Sequence, residues 1–116
     1  MNRIQITLAA ALLLPVATLA QQAPAPTAAQ IANGQLAYTT AGCYLCHGTV
    51  GQGGAGPKLT PQPFPVEALT AFVRVSPGSM PPYPAHMLSD ADLRDIHAFL
   101  VSRPPSPPAS QIPLLK

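Results

Sequence analysis

Three stretches of the chain repeat their apolar positions with the period of an α-helix. The first covers residues 28–40, where Ile31, Leu36 and Tyr38 are the periodic apolar residues and Ala32 and Gly34 lie between them. Thr27 stands at the N-cap position and Gly42 where such a helix should stop. The second stretch, 66–75, places Leu69, Phe72 and Val73 on one face. The third opens at Ser89-Asp90-Ala91-Asp92, a capping box with Asp where Glu or Gln is usual. It runs to about residue 102 with Leu93, Ile96, His97 and Leu100 on one stripe. Five glycines fall within 48–56, and 57–65 is dense in proline, which biases preceding residues away from helix. Residues 76–84 read as loop. Pro104, Pro105, Pro107 and Pro108 end regular structure, so the tail 104–116 is expected to be extended or disordered. No segment reads as a strand and no repeat is present. The pattern predicts a small all-α fold with long proline-rich connections.

Composition sharpens this picture. The chain has 116 residues, of which 16 are proline, 8 glycine and only 10 charged. That is 9% charged, against about a quarter in an average domain. The net charge of +2 leaves no basic surface of the kind nucleic-acid binding needs. No charged residue occurs in the 54 positions between Arg3 and Lys58. Part of that gap reads as an export signal. Arg3 gives a cationic start, 4–14 is apolar apart from Gln5 and Thr7, and Thr18-Leu19-Ala20 places small residues before a cut ahead of Gln21. The competing reading is a retained anchor, but the run to Ala20 is short for a span and holds Pro15. The expected organisation is a cleavable signal over 1–20, a flexible leader over 21–27, one domain over 28–103 and the tail 104–116. A domain this small buries little surface and often needs a cofactor, metal or disulfides. Its two cysteines, Cys43 and Cys46, are too close together to staple distant parts of a fold.

The chemistry concentrates in Cys43-Tyr44-Leu45-Cys46-His47. Two thiols three positions apart, followed at once by His, are the attachment signature of c-type haem. One helix-like turn presents both thiols to one porphyrin edge, and the adjacent His reaches the iron. A thioredoxin-like dithiol shares the Cys spacing but belongs in a βαβ context that is absent here. A zinc site needs further ligands, and His86 and His97 are eleven apart, outside the usual interval. A plain disulfide is the remaining alternative in an exported protein.

Over residues 30–103 the sequence resembles the class I c-type cytochromes. Gly34 and Tyr38 match the family's first-helix pattern, and Gly56-Pro57-Lys58-Leu59 matches the loop after the haem motif. Arg74 with Gly78-Ser79-Met80-Pro81-Pro82-Tyr83 matches the segment bearing the axial methionine, and 88–100 matches the C-terminal helix. The resemblance implies a small cytochrome c fold, with three or more helices around one covalently attached haem c. It implies thioethers at Cys43 and Cys46, His47 as proximal iron ligand, and a bond from its outer ring nitrogen to the Pro57 carbonyl. It makes Met80 the second axial ligand; Met87, His86 or a vacant position are the alternatives. Arg74 is expected either at a haem propionate or as a solvated helix residue. Tyr83 is expected at the haem edge, on a propionate, or in ordinary packing. Leu59, Phe64, Phe72, Leu88, Ile96 and Leu100 are the candidate haem wall. His97 reads as a hydrogen-bonded core histidine. Gly34 is expected to let the first helix approach the last near Phe99.

The implied function is single-electron transfer by a monohaem cytochrome of the periplasm, with no catalysis of its own and no membrane span after signal cleavage. Two strong axial ligands leave no open position for a substrate. Free carriers commonly steer by charge, and so few charges favour a dedicated partner: the expected role is subunit or partner of a periplasmic dehydrogenase. A free shuttle to a terminal oxidase is the alternative. A five-coordinate gas sensor or weak peroxidase would follow if Met80 did not ligate. The tail, ending in Ile112-Pro113-Leu114-Leu115-Lys116, reads either as a docking segment or as disordered chain.

Overall fold

The computed structural model describes residues 24–61, 64–105 and 107–115. The expected signal, 1–20, lies outside the described residues, as do 21–23 of the leader. The described chain forms four α-helices: α1 (Ala28–Thr40), α2 (Tyr44–His47), α3 (Val66–Val75) and α4 (Asp90–Val101). No strand occurs among the described residues, and no described helix is long and apolar enough to cross a membrane. Two short 3-10 turns, Ala109–Gln111 and Pro113–Leu115, follow in the tail. The tail is therefore not uniformly extended: local turns form between its prolines. Leu114 remains almost fully exposed.

Both long amphipathic helices begin where the sequence places their caps. The Thr27 hydroxyl accepts from the Gln30 backbone N–H at 3.2 Å, and the Gln30 side chain accepts from the Thr27 N–H at 2.9 Å. Ser89 and Asp92 form the same reciprocal pair at 3.1 and 3.0 Å, so the shorter Asp completes the box as Glu does elsewhere. The bonds from the Ser89 side chain and backbone hold the Asp92 carboxyl below the usual carboxylate range. α3 begins after Pro65, without a side-chain cap, and carries Glu67 in its first turn.

The core is built from Tyr38 of α1, Val73 of α3, Leu88, and Leu93, Ile96, Phe99 and Leu100 of α4. α1 packs chiefly on α4, and α3 packs on α4 as well. The buried positions of α1 are Gly34 and Tyr38, four apart and so on one face. Leu36, expected on that face, is 65% exposed. Two positions from Tyr38 is about 200° around a helix of 3.6 residues per turn, which points Leu36 away from the core. Tyr38 meets Phe99 with ring centroids 5.5 Å apart, and the Arg103 guanidinium covers the Phe99 ring at 4.9 Å.

Gly34 makes the closest approach. A Cβ there would lie 1.8 Å from the Asp95 carbonyl oxygen and 2.9 Å from the Ile96 nitrogen. The contact thus falls one turn before Phe99, the place expected from the sequence, because Phe99 is occupied by the Tyr38 ring. A Gly→Ala change inside a helix normally gains about 0.5–1 kcal/mol. Here the obstructing atoms are backbone and cannot rotate aside. Gly34→Ala is therefore expected to lose about 3 kcal/mol or more, the upper end of overpacking costs. Thermal unfolding of the haem-loaded protein measures this, with the exposed Ala32 position of the same helix, as Ala32→Gly, providing the ordinary propensity effect.

Candidate functional site

The motif forms a single helical turn. His47 N–H donates to the Cys43 carbonyl at 3.0 Å, closing α2, and Cys43 N–H donates to the Tyr38 carbonyl at 3.2 Å. The Tyr38 hydroxyl reaches ten residues on and donates to the Gly48 carbonyl at 2.8 Å. The motif is thereby tied at both ends to one buried residue of α1, by its backbone carbonyl at Cys43 and its side chain at Gly48. Cys43, Cys46 and His47 all face one cavity of about 500 Å³, within the range of small-molecule and cofactor sites, about 300–1,000 Å³.

The cavity walls come from every helix. α3 contributes Leu69, Phe72 and Val73, and α4 contributes Leu93, Ile96 and Leu100. Tyr38, Leu59, Leu88, Met80 and Tyr83 add to the apolar lining, and among the described residues no Lys, Arg, Asp or Glu lines it. Five of the six wall residues expected from the sequence are there. Phe64 is the exception: it is 61% exposed and not in the lining, and its carbonyl is 2.8 Å from Nε2 of His97. His97 thus holds the segment before α3 and does not reach the cavity. Leu69, Val73 and Leu93 were legible as helix-face residues but not as wall, because the face they share with the cavity depends on how the helices are placed.

His47 is 7% exposed, and its Nδ1 lies 2.7 Å from the Pro57 carbonyl oxygen. A carbonyl only accepts, so Nδ1 carries the proton and Nε2 carries the lone pair. Nε2 is then the nitrogen available as a metal ligand. The glycine-rich loop delivers Pro57 to this place. Gly53 N–H donates to the His47 carbonyl at 2.8 Å and Gly56 N–H to the Cys46 carbonyl at 2.8 Å. A Cβ on Gly56 would lie 2.9 Å from Cε1 and 3.0 Å from Nδ1 of His47. Glycine is required there so that backbone can lie against the imidazole.

The segment 76–83 carries Met80 across the cavity. It leaves α3 at Ser76, which is buried with φ of 27° and whose hydroxyl donates to the Met80 carbonyl at 3.0 Å. It returns at Tyr83, whose N–H donates to the Val73 carbonyl at 3.0 Å and whose hydroxyl donates to the Ala41 carbonyl at 2.9 Å. Tyr83 lines the cavity, and its hydroxyl is engaged by backbone. Arg74 does not line the cavity. Its guanidinium donates to the Tyr83 carbonyl at 2.6 Å and pairs with Asp90. One of the two roles expected for it, a solvated helix residue, is thereby replaced. Ser76 had no signal in the sequence beyond its place after a helix. Met87 is 68% exposed and lines a separate groove between α1 and α4, and His86 is exposed. Of the three candidates for the second axial position, Met80 alone faces the cavity.

Burial governs the ionisable groups here. It pushes the Tyr38 phenol up to about 12, with Cys43 adding to the shift and a backbone hydrogen bond partly opposing it. Burial also raises the Cys43 thiol. Tyr83 is raised by burial and then by both cysteines. Each of these groups is neutral at neutral pH, so the lining carries no charge from them.

The residues present fit a covalently held haem. Two free thiols, an imidazole with a fixed tautomer and a thioether share one apolar cavity. The further ligands a zinc site needs are elsewhere: among the described residues no group of three or more His, Cys, Asp or Glu is placed to hold a metal ion. Gly56→Ala is expected to push the imidazole off the Pro57 carbonyl. Losing such a supporting bond weakens ligation by about 10–100-fold. The acid transition of the ferric visible spectrum, in which protonation displaces His47 from the haem, measures the change and is expected to move to higher pH.

Comparison with the curated proteins and with the solved structures gave no match. Comparison with protein-family models gave a match over residues 29–100 to the family described as cytochrome c oxidase, cbb3-type, subunit III. The matched span holds the haem motif, the Pro57 loop, Met80 and α4, and it covers more than half of the chain. On that match and on the cavity that joins Cys43, Cys46 and His47, the chain belongs to this family of c-type cytochrome domains and carries one covalently bound haem c.

Proposed function

We propose that this protein is an exported, periplasmic one-electron carrier whose haem iron is held by His47 and Met80. The observation that carries the reading is that both side chains line one cavity with the two attachment cysteines, whereas Met87 and His86 do not. Haem c supplies reversible one-electron chemistry when bound. The protein's part is to fix the imidazole through Pro57, to hold the thioether on the opposite segment and to surround both with apolar side chains. A thioether ligand favours the reduced state and raises the potential. An uncharged lining favours the lower-charge state in the same direction.

The partner is best read as a periplasmic dehydrogenase to which this protein is a dedicated subunit or companion. The exposed lining residues are Cys46, Ala55, Pro57, Phe72, Pro77, Ser79 and Pro81, none of them charged. Such a mouth suits a specific apolar contact better than long-range steering. The family's description names an oxidase subunit, which supports a second reading: delivery of electrons to a terminal oxidase. The two differ in what co-purifies with the protein.

Met80→Ala is expected to abolish the sulfur-to-iron charge-transfer band at the red end of the ferric spectrum and to open the reduced protein to carbon monoxide. Met87→Ala is expected to leave both unchanged. Rapid stoichiometric carbon monoxide binding by the unaltered reduced protein would overturn the electron-carrier reading in favour of a five-coordinate sensor or peroxidase. Electron transfer to the partner is expected to change less than about threefold between 50 and 300 mM salt, in contrast to steered association, which falls steeply. A steep salt dependence would remove the argument for a dedicated apolar contact.

A further inference from the structure

Arg74 joins three parts of the molecule that share no sequence neighbourhood. It lies in the last turn of α3. One terminal nitrogen donates to the carbonyl of Tyr83, where the Met80 segment ends, and the other pairs with Asp90, the first residue of α4. The Tyr83 backbone is held on both sides, since its N–H also donates to Val73, the residue before Arg74. At the other end of the segment, Ser76 N–H donates to Phe72 and the Ser76 hydroxyl to the Met80 carbonyl. The segment is thus a loop of eight residues, 76–83, whose two ends are fastened to the same turn of one helix.

Within that loop the described hydrogen bonds of Met80 are few. Pro81 and Pro82 offer no N–H, and Gly78 meets nothing within 4 Å of a Cβ position. Inside the loop Met80 is held by the Ser76 hydroxyl on its carbonyl and by packing against the core, and the return path beyond it is fastened only at Tyr83. The return end relies on Arg74. A charged donor to a carbonyl is stronger than a neutral one, and the rigid guanidinium fork presents separate nitrogens to a carbonyl and a carboxylate in one fixed geometry. Arg74 is only 21% exposed, while Asp90 is 63% exposed. The carbonyl bond is therefore the better shielded of the two, and Asp90 serves to aim the fork.

We propose that Arg74 is a positioning residue for the axial thioether: by clamping the Tyr83 carbonyl, with Asp90 orienting it, Arg74 sets how often the 76–83 loop opens and releases Met80. The inference rests on the reading of Met80 as an iron ligand. Its role is through the loop, since Arg74 does not line the cavity.

The test is stopped-flow binding of imidazole to the ferric haem-loaded protein. At saturating imidazole the rate is limited by Met80 release. Arg74→Ala is expected to raise that limiting rate about tenfold, a step the loss of one charged hydrogen bond accounts for. Arg74→Lys is expected to fall between, because an ammonium holds the carbonyl without the fork. Asp90→Asn is expected to raise the rate about two- to threefold, as befits a partner so exposed. Arg94→Ala, an exposed charge on α4 outside the clamp, is expected to match the unaltered protein. The charge-transfer band in each variant reports how much Met80 remains bound, and thermal unfolding separates a local opening from general loss of stability. Limiting rates for Arg74→Ala and Asp90→Asn equal to the unaltered protein, with its charge-transfer band present, would overturn the clamp. If Arg74→Ala does not load haem, Arg74→Lys and Asp90→Asn decide the matter on the same scale. An unaltered protein that lacks the band and binds imidazole without a release step would overturn Met80 ligation instead, which is a distinguishable failure.

Discussion

At Gly34 the backbones of α1 and α4 come so close that a methyl group would sit 1.8 Å from the Asp95 carbonyl oxygen. That contact fixes the crossing of the two helices, and the rest of the site is arranged from it. It puts Tyr38 against Phe99 one turn further on, and Tyr38 in turn holds the haem motif at the Cys43 N–H and at the Gly48 carbonyl. It also fixes the face of α4 that carries Leu93, Ile96 and Leu100, which becomes the inner wall of the cavity. One missing side chain thus sets both the anchoring of the motif and the shape of the space beside it.

Two loops then bring His47 and Met80 to that space by opposite means. The glycine-rich loop works through backbone: its N–H groups bond back to Cys46 and His47, and its lack of side chains lets Pro57 lie against the imidazole. The 76–83 loop works chiefly through its ends, with Ser76 and Tyr83 fastened to α3 and the Ser76 hydroxyl reaching the Met80 carbonyl. The histidine side is consequently held by bonds on the imidazole itself and on its neighbours, and the methionine side by bonds to backbone alone. On the proposed ligation, redox state and ligand exchange are governed by different parts of the chain.

The scarcity of charge has a physical counterpart in this arrangement. Three ionisable groups of the lining, Tyr38, Tyr83 and Cys43, are shifted toward their neutral forms, chiefly by burial. Arg74 lies outside the lining and is engaged by a carbonyl and a carboxylate. The low charge of the sequence is thus a requirement of an apolar cofactor site in a domain too small to bury one otherwise.

By itself the sequence determined what depends on local spacing. The three long helices and their caps at Thr27 and Ser89, the single turn carrying Cys43, Cys46 and His47, and the Pro57 contact with His47 follow from short-range pattern and the resemblance carried by it. Met80 as the residue facing the cavity belongs here too, since its flanking prolines mark the segment. What only the tertiary structure decided is which atoms from different segments meet. Leu36 is on the outside because the face of α1 is chosen by Gly34 and Tyr38 against α4, a choice that apolar periodicity does not make. Phe64 is outside the wall because His97, 33 residues later, holds its carbonyl. Arg74 is tied down and not a solvated helix residue because Tyr83 and Asp90 are brought within reach of one guanidinium. Periodicity records which side of a helix is apolar; it carries no information about the distance between two helices, and each of these outcomes is a matter of that distance.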